Sequence, residues 1–125
     1  MNGLHLTADL NGCDPATPAM TDPAALRRLC LAAVAEAGLH AVGELFHRFP
    51  APAQGGPGGV TGVVLLAESH LAVHTWPERG GVTLDAYVCN LGADNSAAAE
   101  RLVARLQAAF APSAAVVQRL RRGGA

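Results

Sequence analysis

The chain has no lysine: all nine of its Lys and Arg positions are arginine. Pyridoxal phosphate enzymes hold their cofactor through a lysine Schiff base, and lysine is also the usual amine nucleophile. Both chemistries are excluded. Richness in Ala, Gly, Arg and Pro suggests a GC-rich coding bias as the cause, which leaves the chemical consequence unchanged. Charged residues are few at 15%, yet half of the 125 residues are hydrophobic, enough for one core without disulfide or metal staples. No apolar run approaches the ~18–20 residues of a membrane span. The start, MNGLHLTADL, lacks a basic region and a long apolar stretch, so no signal peptide and a cytosolic address are expected. Three cysteines in such a chain do not make a disulfide framework. A net charge of −1 without a basic cluster argues against nucleic acid as the main partner.

What is present reads as an ordered series of elements. Leu4 to Leu10 alternates with period two, a strand, and Asn11-Gly12 and Asp14 to Pro18 break it. Asp22-Pro23 is a helix start, and Leu26, Leu29, Cys30, Ala33 and Val34 share one face up to the closing Gly38. His40 to Phe49 is a strand candidate, followed by the Pro/Gly-rich stretch 50–59, read as a loop within one domain. Val60 to Ala67 reads as a buried strand, His70 to Thr75 as another, Trp76 to Gly81 as a turn and Val82 to Cys89 as a further strand. Asp94 or Asn95 caps a second helix reaching Phe110, and Ala114 to Leu120 is a last strand. The order β-α-β-β-β-β-α-β predicts an α+β two-layer sandwich: an antiparallel-dominated sheet with both helices on one face, as a single domain over residues 1–125.

The ionisable residues concentrate in Glu68-Ser69-His70-Leu71-Ala72-Val73-His74-Thr75-Trp76-Pro77-Glu78. On a strand, His70 and His74 share a face. A zinc site is one reading, but no third ligand stands at a metal spacing, and no metal is expected. The Gly-x-Ser-x-Gly elbow of a serine hydrolase is absent around Ser69. A capped turn with two half-buried histidines is equally compatible with the spacing.

This stretch resembles the self-cleavage segment of the short prokaryotic S-adenosylmethionine decarboxylase proenzymes: Glu-Ser-His, three residues, then His-Thr-Trp-Pro-Glu. The similarity extends to Gly59-Val60-Thr61-Gly62, to Asp85-Ala86-Tyr87-Val88-Cys89 and to Gly3-Leu4-His5 with Asp9-Leu10 and Gly12-Cys13. The resemblance implies the same sandwich fold and a pyruvoyl cofactor made from the chain itself, consistent with the missing lysine. In the maturation that the resemblance implies, the Ser69 hydroxyl attacks the Glu68 carbonyl and the amide becomes an ester. β-Elimination then breaks the chain, and the dehydroalanine left at position 69 hydrolyses to pyruvoyl and ammonia. The products implied are residues 1–68 and 69–125. His74 is implied as the processing base and Thr61 as the processing hydroxyl, both within reach of Ser69 on the strands flanking the cut.

In turnover the pyruvoyl group is the electron sink for loss of carbon dioxide, and Cys89 is implied as the acid that reprotonates the product. Cys13 and Cys30 read as core residues instead. The resemblance assigns Trp76 to stacking on adenine and Glu78 to the ribose hydroxyls, with Phe49 or Phe46 as the second stacking face. S-adenosylmethionine is the favoured substrate, decarboxylated to the aminopropyl donor of spermidine synthesis. Arg79-Gly80-Gly81-Val82 departs from the family's aromatic pattern, so ornithine or arginine remains an alternative, as does a non-processing regulatory paralogue. A homodimer of processed protomers is expected, with no nucleic acid or membrane partner.

Overall fold

Alternation of apolar and polar residues produces the first strand, β1 (Gly3–Asn11), in the computed structural model, which describes residues 1–124. Ala125, the end of the expected domain, lies outside the described residues. Asp22 caps α1 (Pro23–Glu36) by accepting from the Ala24 N–H at 3.0 Å. Then follow β2 (Ala41–Arg48), β3 (Val60–Leu66), β4 (Ser69–Trp76), β5 (Gly81–Cys89), α2 (Ser96–Phe110) and β6 (Ala114–Arg122). The element order is the expected one. The bounds differ in places: a 3-10 turn forms at Pro18–Met20, β4 takes in Ser69 and Trp76, the turn after Trp76 is a 3-10 turn over Pro77–Arg79, and β6 continues past Leu120 to Arg122 because it pairs with β1 back to Gly3.

The strands form one sheet in the order β2-β3-β4-β5-β1-β6, and every pairing is antiparallel. α1 packs on β2 and β3, α2 on β1 and β5, and the helices touch each other. The covered face carries Leu4, Leu6, Leu10, Val64, Leu71, Val73, Leu84 and Val88, packed against Leu26, Cys30, Leu102, Leu106 and Phe110. Cys13 and Cys30 are buried, as expected; burial pushes the Cys30 thiol up to about 12 and raises that of Cys13. Thr75, the one buried polar residue among those described, accepts from the Val60 N–H (2.9 Å) and donates to the Met20 carbonyl (2.8 Å).

The opposite face of the sheet has no helix over it. By alternation it presents Thr61, Val63 and Leu65 of β3, His70, Ala72 and His74 of β4, and Asp85 and Tyr87 of β5. Leu45 and Leu65 stand on it 70% and 49% exposed, so this face keeps apolar surface in water.

Candidate active site

β3 and β4 are joined by the two residues Ala67 and Glu68, and Glu68 takes a left-handed conformation at φ 55°. A non-glycine residue there is strained by its Cβ. The bond that follows is the expected cleavage bond. The Ser69 hydroxyl lies beside the end of β5, where its Oγ accepts from the Cys89 N–H at 2.9 Å. Cys89 is only 6% exposed. Serine, the strained carbonyl before it and the cysteine therefore stand together at one end of the sheet.

Thr61 and His74 also stand together: they are direct partners across the β3–β4 ladder, and 3.0 Å separates Thr61 Oγ1 from His74 Nδ1. They do not stand beside Ser69. The ladder runs from Leu66–Ser69 at the turn to Thr61–His74 at the other end, five steps away, or roughly 17 Å at strand rise. The expectation that both are within reach of Ser69 in the same chain is corrected by this register. Residues close in sequence are held apart here because the strand between them is extended.

The Thr61–His74 end holds the expected recognition residues. Phe49, Thr61, His74, Trp76 and Glu78 line a cavity of about 370 Å³. Gly58 and Gly59 make this possible. A Cβ on Gly58 would sit 2.0 Å from the Phe49 carbonyl oxygen, and one on Gly59 2.1 Å from that of Thr75. The long Pro/Gly loop thus returns flush against β4, with the Phe49 N–H donating to the Gly59 carbonyl (2.9 Å). Phe46, the other aromatic candidate, packs against the core instead.

Sequence reasoning missed a polar cluster on the open face. Asp85 Oδ2 takes hydrogen bonds from Nε2 of His5 (2.9 Å) and of His70 (2.8 Å). It is the one group with metal-ligand geometry among the described residues. Arg122 Nη1 lies 2.8 Å from His5 Nδ1. Arginine only donates, so His5 Nδ1 accepts and its proton sits on Nε2, facing Asp85. A metal-bound histidine needs an acceptor behind it instead, so the cluster is a satisfied hydrogen-bond network. Its signal, a period-two Asp and two His on three strands, needs the register to be seen.

The sequence pattern of S-adenosylmethionine decarboxylase matches residues 4–123. The chain belongs to that family. It is 36% identical to the S-adenosylmethionine decarboxylase proenzyme of Pyrococcus furiosus over 97% of this chain and 78% of the relative. With the proenzyme of Symbiobacterium thermophilum it shares 38% identity over 83% of this chain and 73% of the relative. Among solved structures, the adenosylmethionine decarboxylase of Aquifex aeolicus superposes with a TM-score of 0.84 at 33% identity, covering 98% of this chain and 92% of that one. No helix among the described residues is long and apolar enough to cross a membrane.

Proposed function

We propose that this protein is a pyruvoyl-dependent S-adenosylmethionine decarboxylase that matures by cutting itself between Glu68 and Ser69. The observation that carries the reading is the strained left-handed Glu68 next to a serine whose hydroxyl is held by the Cys89 N–H. The relatives' proenzyme names support it. Position 69 fits a pyruvoyl group, because the Cys89 N–H is a donor aimed at that side chain and suits a carbonyl oxygen. When formed, the group supplies the carbonyl that takes up an amine and the electrons left by departing carbon dioxide.

The chain's own residues divide the remaining roles. Cys89, beside position 69, is the acid for the product carbon. Phe49 and Trp76 offer flat faces to a nucleobase and Glu78 a carboxylate to ribose hydroxyls. Two aromatic walls favour a nucleoside over ornithine or arginine, which need no such clamp. Because Ser69 and His74 stand at opposite ends of β4, the reading requires two copies. Stacking two open faces about a two-fold axis across the strands sets the Ser69–Cys89 end of each copy over the Thr61–His74 end of the other. The exposed Leu45 and Leu65 on that face support such an interface. Thr61 and His74 then process, and Phe49, Trp76 and Glu78 then bind substrate for, the position-69 group of the second copy.

The test is intact mass followed by assay. Wild-type protein should appear as two fragments, 1–68 and 69–125, without protease. Ser69→Ala should remain one chain, since no hydroxyl is left to attack. Carbon dioxide release should be fastest from S-adenosylmethionine when ornithine and arginine are assayed beside it. An uncut wild-type chain would favour the regulatory paralogue, and faster release from ornithine or arginine would overturn the substrate.

A further inference from the structure

Cys89 sits two residues beyond the end of the β4–β5 ladder, whose last pair on this side is His70 with Tyr87. Its backbone N–H and carbonyl have no strand partner on the β4 side, and a buried peptide group needs partners. Side chains supply both. The N–H donates to Ser69 Oγ at 2.9 Å, and the carbonyl accepts from Asn95 Nδ2 at 2.9 Å.

Asn95 is the N-cap residue of α2, but its side chain makes no hydrogen bond to the helix's own N–H groups. An N-cap asparagine ordinarily does so. Here the adjacent Asp94 serves the helix start, accepting from the Ser96 N–H at 2.9 Å. The Asn95 amide is left for Cys89. Its orientation is fixed from behind. The Asn95 N–H donates to Asn90 Oδ1 (2.8 Å), Asn90 Nδ2 donates to Ser96 Oγ (3.0 Å), and the Asn90 N–H donates to the Asn2 carbonyl (2.7 Å). The end of β5 is thereby tied to the first turn of α2 and to the start of β1.

We propose that Asn95 is a positioning residue for Cys89 in turnover. The inference rests on the pyruvoyl decarboxylase reading and goes beyond it. Cleavage carries Ser69 Oγ away as part of the new Glu68 carboxyl group, so the Cys89 N–H loses its serine partner. The carbonyl oxygen that would succeed it on the N–H is consumed when the amine is taken up, so the Asn95 tether on the Cys89 carbonyl is the side-chain bond that the chemistry leaves unaltered. It keeps the backbone that carries the thiol in place beside position 69. Without it the strand end is held from its β1 side alone, and protonation is slower or goes to the carbon of residue 69. In the second case the substrate's amino nitrogen stays on residue 69 as alanine. The decarboxylated substrate leaves as an aldehyde, the water released when the amine was taken up being returned at hydrolysis. That site is then dead.

The experiment compares wild type with Asn95→Ala, Asn95→Asp and Asn95→Gln. It follows cleavage by intact mass, kcat and KM on S-adenosylmethionine, thermal unfolding, and the share of 69–125 fragment that begins with alanine after turnover. All three variants should cleave. Asn95→Ala and Asn95→Asp should lose roughly 10–100-fold in kcat with KM little changed, as for a displaced catalytic group, and accumulate alanine-ended fragment severalfold faster per turnover. Asn95→Gln, which keeps an amide donor, should recover part of both. Aspartate can accept at a helix start but cannot donate to the Cys89 carbonyl, so Asn95→Asp should lose more kcat, and gain more alanine-ended fragment, than its change in thermal unfolding accounts for. The inference is overturned if Asn95→Asp turns over and inactivates like wild type, or if kcat falls only in step with stability and the alanine-ended share does not move. An uncut wild-type chain would instead overturn the reading beneath it.

Discussion

Glu68 joins local backbone chemistry to the proposed cut. A left-handed L-residue costs about 1–2 kcal/mol through its Cβ, and the strain is released when the Glu68–Ser69 bond breaks. The motif around Ser69 marked this bond in the sequence, but the conformation of Glu68 was hidden. Ala-Glu is not turn chemistry of the Asn-Gly kind, and only the register of two paired strands forces Glu68 into that region. Glu68→Gly removes the Cβ and with it the strain. Its cleavage should slow by roughly fivefold, the rate equivalent of about 1 kcal/mol, measured as the disappearance of full-length chain from a fresh preparation. Cleavage at or above the wild-type rate would show that the strain does not drive the step.

The elements were the most legible part of the chain, because each carries its own signal. The Asp22-Pro23 start and the stripe of Leu26, Cys30, Ala33 and Val34 sufficed for α1, and period two sufficed for β1. Ends were less legible: β6 runs on to Arg122 because β1 offers it hydrogen bonds, which no local pattern announces. At this scale Cys30 ties α1 to pH. It is fully buried, and its thiol is raised from 9.0 to about 12 by desolvation. Between those values the unfolded chain has lost the thiol proton while the folded chain keeps it. The unfolded state then binds fewer protons, so unfolding free energy falls as pH rises across this window and is unaffected below it. The full effect is of order 4 kcal/mol. Denaturant unfolding of wild type and Cys30→Ala near pH 8 and about pH 10.5 should show the wild type losing more stability across the interval than the variant. Parallel losses would mean that Cys30 ionises without unfolding the helix packing.

At the scale of the whole molecule, the sheet order was the illegible part. Placing β1 between β5 and β6 depends on contacts more than 70 residues apart in sequence, such as His5 with Tyr87 and Arg122 with His5. That order brings His5, Asp85 and His70 together, and the length of the β3–β4 hairpin sends Thr61 and His74 away from Ser69. A chain whose proposed machinery is split between two ends can be complete only as a pair, and the two ends can then be supplied by different chains. Co-expression of a His74→Ala chain with a Cys89→Ala chain tests this. Each homodimer lacks one needed side chain at both sites. In a mixed dimer, one site combines Ser69 and Cys89 of the first chain with Thr61 and His74 of the second, and is intact; the other carries both defects. With random pairing, half the dimers are mixed and each has one working site, so activity should return to about a quarter of wild type. Only the His74→Ala chain should be cut in those working sites, which differential tags resolve by mass. Mixtures no more active than the separate variants would place the whole site within one chain, and the hairpin would then have to bend to bring His74 back to Ser69.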